Sequence, residues 1–234
     1  MTHQTLAQRL QAARHWAFDQ ALPLWLERGV DRSVGGFVEA LTFEGEDAAL
    51  PYKRVRVTGR QIYVFCHAAT LGWREGLAAA EAGARFLAEK AWTDRGFVRR
   101  LSRDGQVIDP VIDLYDNAFC LLGFAWLYKA TGEAWALDWA KRTVSAVKAG
   151  QTHPAGGYWH DDTRQGHRQQ NPHMHWIEAA LVAADASGDS VFLDEAHIVA
   201  RLFEDKFFDG ATLAEFFADD WSRVAGDAGR TSEP

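Results

Sequence analysis

The 234-residue chain is poor in cysteine, proline and methionine, has no long apolar run and carries no excess of positive charge. Each shortage excludes something. Two cysteines, Cys66 and Cys120, cannot build a multi-bridge framework. Both stand in apolar surroundings of helical period, so they are expected to be buried free thiols in a reducing, cytoplasmic setting. No stretch approaches 18 uninterrupted apolar residues, so no membrane span is expected. The opening segment MTHQTLAQRLQAARHW lacks the charged-then-apolar order of a signal peptide and reads as a polar-faced helix. A net charge of −7 argues against a nucleic-acid partner and against an anionic membrane surface.

What remains is an ordinary globular composition, 47% hydrophobic and 24% charged, without a low-complexity linker. A single domain over 1–234 is expected. Tryptophan is the exception, with ten copies. Such rings fill cores, and they also stack on the C–H faces of sugars.

Three segments resemble one another: GGFVEAL at 35–41, RGFVRRL at 95–101 and GGYWHDD at 156–162. Gly36, Gly96 and Gly157 are spaced 60 and 61 residues apart. Each glycine precedes an aromatic residue and an alternating pattern, the signature of a tight turn entering a short strand. KFFDGATLAEFF at 206–217 is a weaker fourth copy. Between the turns the apolar period is helical. It predicts helices over 6–29 (bent at Pro23), 57–71, 76–92, 113–130, 133–148, 172–187 and 191–207. The expected class is all-α, built from helical hairpins on a fixed period, as in a stacked or circular array.

The unusual polar residues fall on that period. Arg56 and Arg60 open the helix after the first turn, Asp113, Tyr115 and Asp116 the helix after the second, and NPHMHWIEAA the helix after the third. Arg60, Tyr115 and His175 are spaced 55 and 60 residues apart and are expected to share a register, as are Cys66 and Cys120. All would gather at one end of the array, where helix N-termini favour negative charge. Asn171 is expected as the N-cap of its helix, with Pro172 in the first helical position. His173 and His175 point apart on a helix, whereas Asn171, His175 and Glu178 share a face. On this reading His175 works and His173 packs or caps. Five histidines crowd into residues 153–175, but none has the zincin i, i+4 spacing and there is no CxxC, so no metal site is expected.

RVTGRQIYVF, DLYDNAFCLLG, GGYWHDD and above all RQQNPHMHWIEAAL resemble the N-acylglucosamine 2-epimerase superfamily along essentially the whole chain. The resemblance implies an (α/α)6 barrel, of which about four of six hairpins are present, so the chain is expected to be part of a longer protein. The terminal Glu233-Pro234 matches the start of a family motif that leads into a further histidine. By similarity, Arg60, Tyr115, Asn171 and His175 bind and process an open-chain sugar. Arg56, Asp116 and Glu178 are expected beside them as substrate-binding residues.

The function expected is a sugar isomerase or epimerase acting at C1 and C2 of an aldose, favoured as D-mannose to D-fructose. N-Acylglucosamine 2-epimerisation and a non-catalytic sugar-binding fragment are the alternatives. Histidine suits the proton transfer because both of its forms are available near neutrality. No organic cofactor or metal is required, the partner is a monosaccharide, and the oligomeric state stays open.

Overall fold

Helices occupy the intervals that the apolar period marks. A computed structural model describes residues 5–224. Thr5 opens α1 (Leu6–Trp16) with a capping box closed by Gln8. The helical path runs on to Gly29 through π-helical turns at Ala17–Ala21 and Trp25–Gly29, which flank the short α2 (Leu22–Leu24). Pro23 lies between them. Its missing N–H and bulky ring disturb the ladder of hydrogen bonds, and a widened turn accommodates that. Then follow α3 (Val55–Thr70), α4 (Leu77–Phe86), α5 (Leu114–Thr131), α6 (Ala134–Gln151), α7 (Gln170–Ser187) and α8 (Ser190–Leu202). α4 and α8 also end in π-helical turns, at Leu87–Ala91 and Phe203–Phe207. Gly132 and Gly188 close α5 and α7 in the left-handed conformation.

The hairpins stack in order. α4 packs on α3, α6 on α5 and α8 on α7, while α5 lies between α3 and α7. α5 is therefore covered all round, and residues 116–125 are all buried, as a helix apolar on every face requires. The approach of α3 to α5 is set by glycine. A Cβ on Gly59 would stand 2.4 Å from the Phe119 carbonyl oxygen, and one on Gly123 would stand 2.9 Å from the Gly59 oxygen. Cys66 and Cys120 are buried free thiols in this core, and burial pushes Cys66 up to about 12.

Short strands are confined to the turns: β1 (Tyr52–Arg54), β2 (Trp92–Thr93), β3 (Gly96–Phe97), β4 (Arg100–Ser102), β5 (Val107–Asp109), β6 (Arg168–Gln169) and β7 (Phe216–Phe217). Gly36, Gly96 and Gly157 all have positive φ (69°, 128° and 65°), so the repeat seen in the sequence is a repeat of backbone conformation. The residue after each glycine bridges back across the turn: Phe37 to Val30, Phe97 to Trp92, Tyr158 to Thr152. Leu213 bridges Phe208 in the same manner, so the weak fourth copy is a true repeat.

The repeats are knitted together by one recurring hydrogen bond. The first N–H of each inner helix donates to a carbonyl in the next turn: Val55 to Arg99 (3.3 Å), Leu114 to His160 (2.8 Å), Gln170 to Glu215 (2.9 Å). This fixes the true register and corrects the expected one. Arg56, Tyr115 and Asn171 are equivalent second residues of their helices. Arg60 and His175 are equivalent to Phe119, one turn further in, so Tyr115 does not share their position. Cys66 and Cys120 are likewise out of register, at the twelfth and seventh residues of their helices. Asn171 is also not the N-cap of α7. Gln169 is, because β6 delivers the chain in extended form as far as that residue; Asn171 and Pro172 are the second and third helical residues. The Glu233-Pro234 motif lies outside the described residues.

Candidate active site

The N-termini of α3, α5 and α7 lie side by side, so side chains from their first two turns converge. Arg60, half-buried, directs Nη2 to the Tyr115 hydroxyl and lays its guanidinium 3.9 Å over the Phe119 ring. The rings of Tyr115 and His175 meet edge to face, with centroids 5.0 Å apart, and Phe119 lies 4.6 Å from His175. Arg60, Tyr115 and His175 thus form one contact cluster although Tyr115 sits a turn earlier. Arg60 and His175 reach back to it because helical side chains lean toward the N-terminus of their helix. His175 Nδ1 lies 2.9 Å from Glu178 Oε2. A carboxylate only accepts, so in the neutral ring Nδ1 carries the proton and Nε2 the lone pair. Asn171 stands one turn before His175 on the same face.

A charged layer backs this cluster. The Arg56 guanidinium lies 5.3 Å over the Tyr115 ring, and its Nε is 3.5 Å from Asp116 Oδ1. Arg99 Nη2 bonds Asp113 (3.0 Å) and Asp161 (3.1 Å), and its Nε lies 3.9 Å from Asp116. Asp116 is fully buried, and among the described residues neither carboxylate oxygen has a hydrogen-bond partner. Burial first, and the neighbouring Asp113 second, raise it to about 7 against the pull of Arg56 and Arg99. Asp113 also caps α5, accepting the Tyr115 N–H at 2.8 Å.

The other histidines are engaged elsewhere. His173 is fully buried. Its Nδ1 donates to the Gln169 carbonyl (2.8 Å) and its Nε2 accepts the Tyr158 N–H (3.1 Å). Burial pushes it down to about 3, so it is neutral. His153 accepts from the Ala155 N–H and lies against the buried Arg168. Among the described residues no three of His, Cys, Asp or Glu converge as metal ligands.

Several residues at this end were not singled out from the sequence. Glu39, Arg99 and His160 each lie three residues after the turn glycine, and Glu215 lies two residues after Leu213, which bridges back across its turn as Phe37, Phe97 and Tyr158 do. The first three are readable from the glycine spacing; Glu215, five residues after Gly210, is not. Deeper on the inner face, Tyr63, His67 and Trp126 stack, with the His67 and Trp126 centroids 4.3 Å apart. Tyr63 and His67 also wall an apolar groove of about 390 Å³ beside α3, whose other side is Trp16, Phe18 and Trp25. That groove does not include the Arg60–His175 cluster.

The sequence profile of the N-acylglucosamine 2-epimerase (GlcNAc 2-epimerase) family matches residues 35–233. A mannose-6-phosphate isomerase of Rhizobium meliloti is 37% identical over 227 residues, which cover 94% of this chain and 58% of that protein. A D-mannose isomerase of Thermobifida fusca is 30% identical, over 78% of this chain and 47% of its own length. The structure of cellobiose 2-epimerase from Spirochaeta thermophila superposes with a TM-score of 0.84 at 25% identity, over 96% of this chain and 61% of that one. The chain therefore spans about half to three-fifths of these relatives. It belongs to the N-acylglucosamine 2-epimerase family, and its hairpins are the hairpins of an (α/α)6 barrel. Among the described residues no helix is long and apolar enough to cross a membrane.

Proposed function

We propose that the chain carries the proton-transfer site of an aldose–ketose isomerase of this family, acting on an open-chain monosaccharide of the D-mannose to D-fructose kind. The observation that carries the reading is the contact cluster Arg60–Tyr115–His175, with Glu178 behind the histidine. Relatives named for mannose and mannose-6-phosphate isomerisation support the substrate class.

In this scheme His175 Nε2 takes the proton from C2, next to the open-chain aldehyde. The C–H electron pair becomes the C1=C2 bond, and the carbonyl oxygen becomes an enediolate oxygen beside the Arg60 guanidinium. The O2 proton passes to O1, and His175 returns its proton to C1, giving the 2-ketose. Glu178 holds the imidazole with Nδ1 protonated, the role a carboxylate plays behind many catalytic histidines. Arg60 and Tyr115 stabilise the oxygen where charge develops. Tyr115 and Asn171 shape the sugar side of the site, and Arg56 and Asp116 charge the layer behind it.

One histidine is enough to move a proton between C2 and C1 on one face of the enediolate. Epimerisation must return the proton to the opposite face of C2, which needs a second group or a rotated intermediate. The relatives named cellobiose 2-epimerase keep 2-epimerisation as the second reading. A cytoplasmic location belongs to the proposal, in keeping with two buried unpaired thiols.

The test incubates the protein with a panel of aldoses in D2O and follows products by NMR. The isomerase reading expects fructose from mannose, with deuterium appearing at C1 or C2. A 2-epimer alone would replace it with the second reading, and binding without turnover would support a sugar-binding module.

A further inference from the structure

The turn that carries the fourth repeat brings Glu215 to the first turn of α7, 44 residues along the chain from Asn171. Pairing of β6 with β7 holds it there, with Gln169 opposite Phe216. The Glu215 carbonyl takes the Gln170 N–H (2.9 Å), and its Oε1 takes the Asn171 N–H (3.3 Å). α7 has no side-chain cap of its own at Gln169, so Glu215 caps it from another repeat.

That leaves half of the carboxylate unused. Glu215 is 3% exposed, yet among the described residues its Oε2 has no hydrogen-bond partner. The Asn171 Oδ1 is also buried without a partner. Among the described residues no cation attends Glu215; burial raises its pKa and the Asn171 N–H opposes that. Buried acceptors are normally satisfied, so two orphaned oxygens at one helix turn ask for O–H donors. The turn lies immediately before His175 on the same helix face.

We propose that Glu215 Oε2 and Asn171 Oδ1 form a hydroxyl-binding subsite that accepts vicinal O–H groups of the open-chain sugar and so sets the carbon skeleton against His175. The proposal rests on the sugar-processing reading above and extends the site to a residue from a fourth repeat. Its competitor is internal: a proton on Oε2 donated to Asn171 would satisfy both oxygens without a ligand.

The probe is D-mannitol, an open-chain polyol with no carbonyl and hence no turnover. It is titrated into the protein and into Glu215→Gln, following the Asn171 backbone amide by 15N NMR. Glutamine keeps an oxygen for the Asn171 N–H and replaces the free acceptor by a donor. The expected result is a mannitol-dependent shift in the parent protein and binding weakened about tenfold in Glu215→Gln at an unchanged melting temperature. Glu215→Ala, which also removes the cap, lowers both. Mannitol that fails to bind the parent protein, or that binds Glu215→Gln with parental affinity, overturns the subsite. An aldose panel without turnover, beside intact mannitol binding, would count against the isomerase reading and leave the subsite standing.

Discussion

The ring of His175 stands perpendicular to that of Tyr115 at 5.0 Å, and the Tyr115 hydroxyl in turn receives Arg60. Tyr115 is thus the joint between the Arg60 cation and the proposed base. Tyr115→Phe keeps the ring packing and removes the acceptor that orients Arg60. It is expected to leave the melting temperature nearly unchanged and to lower kcat by about tenfold, the value of one hydrogen bond that strengthens in the transition state. Tyr115→Phe turning over at the parental rate would dissociate Arg60 orientation from catalysis.

The two histidines of the NPHMH stretch should separate cleanly. His175→Ala removes the proposed base and should lower kcat by about 10²–10⁴ with little loss of stability. His173→Ala breaks two buried hydrogen bonds and should cost about 1–3 kcal/mol in denaturant unfolding. Residual activity of His173→Ala, measured on the folded fraction, should stay near the parental value. The reverse pattern would mean that the roles are exchanged.

Glu178→Gln tests the tautomer. A carboxylate fixes the proton on His175 Nδ1, whereas a glutamine amide can as well donate to that nitrogen and leave the proton on Nε2. The expected outcome is a lower kcat with KM little changed, because the nitrogen that faces the substrate then spends part of its time protonated. A raised KM at an unchanged kcat would assign Glu178 to the substrate instead.

Gly59 is expected to tolerate nothing larger. A methyl there meets the Phe119 carbonyl at 2.4 Å, and backbone cannot yield as a side chain can. Gly59→Ala must part α3 from α5, at about 2–4 kcal/mol, which lowers the melting temperature by roughly 5–15 °C. Arg60, the next residue, would be drawn from Tyr115, so sugar binding should weaken in the same variant. A melting temperature within a degree or two of the parent would show that the helices are free to re-seat.

The helices were legible because their apolar period is unbroken and their ends carry glycine or a cap, as at Gly132, Gly188 and Asp113. The turns were legible because three glycines in a left-handed conformation leave a spaced mark. Finer register was not. Arg60, Tyr115 and His175 were grouped by spacing alone, whereas Tyr115 pairs structurally with Arg56 and Asn171. Spacing counts residues along loops of unequal length, and only the Val55, Leu114 and Gln170 hydrogen bonds mark where each helix begins. Asn171 looked like a cap by residue type; β6 already delivers an extended chain to Gln169, and the capping oxygen comes from Glu215. A partner 44 residues away leaves no local pattern.

Two buried groups should pull the pH dependence of stability in opposite directions. His173 is pushed down to about 3 in the folded protein, against an ordinary value of 6.5. Between those limits the unfolded chain binds the proton and the folded one does not, so stability falls as pH falls below 6.5. Asp116 is raised to about 7 from 3.8. Between those limits the folded protein holds the proton and the unfolded chain has lost it, so stability falls as pH rises from 4 toward 7. Over the shared window the two slopes, each at most about 1.4 kcal/mol per pH unit, oppose one another. Asp116→Asn cannot ionise. It should steepen the acid loss that His173 causes, and it should gain stability relative to the parent as pH rises from 4 to 7. Urea unfolding of the two proteins at pH 4, 5.5 and 7.5 reads this as a difference that grows with pH. A difference that does not grow with pH would mean that Asp116 is ionised in the folded protein throughout and held as a salt bridge by Arg56 and Arg99.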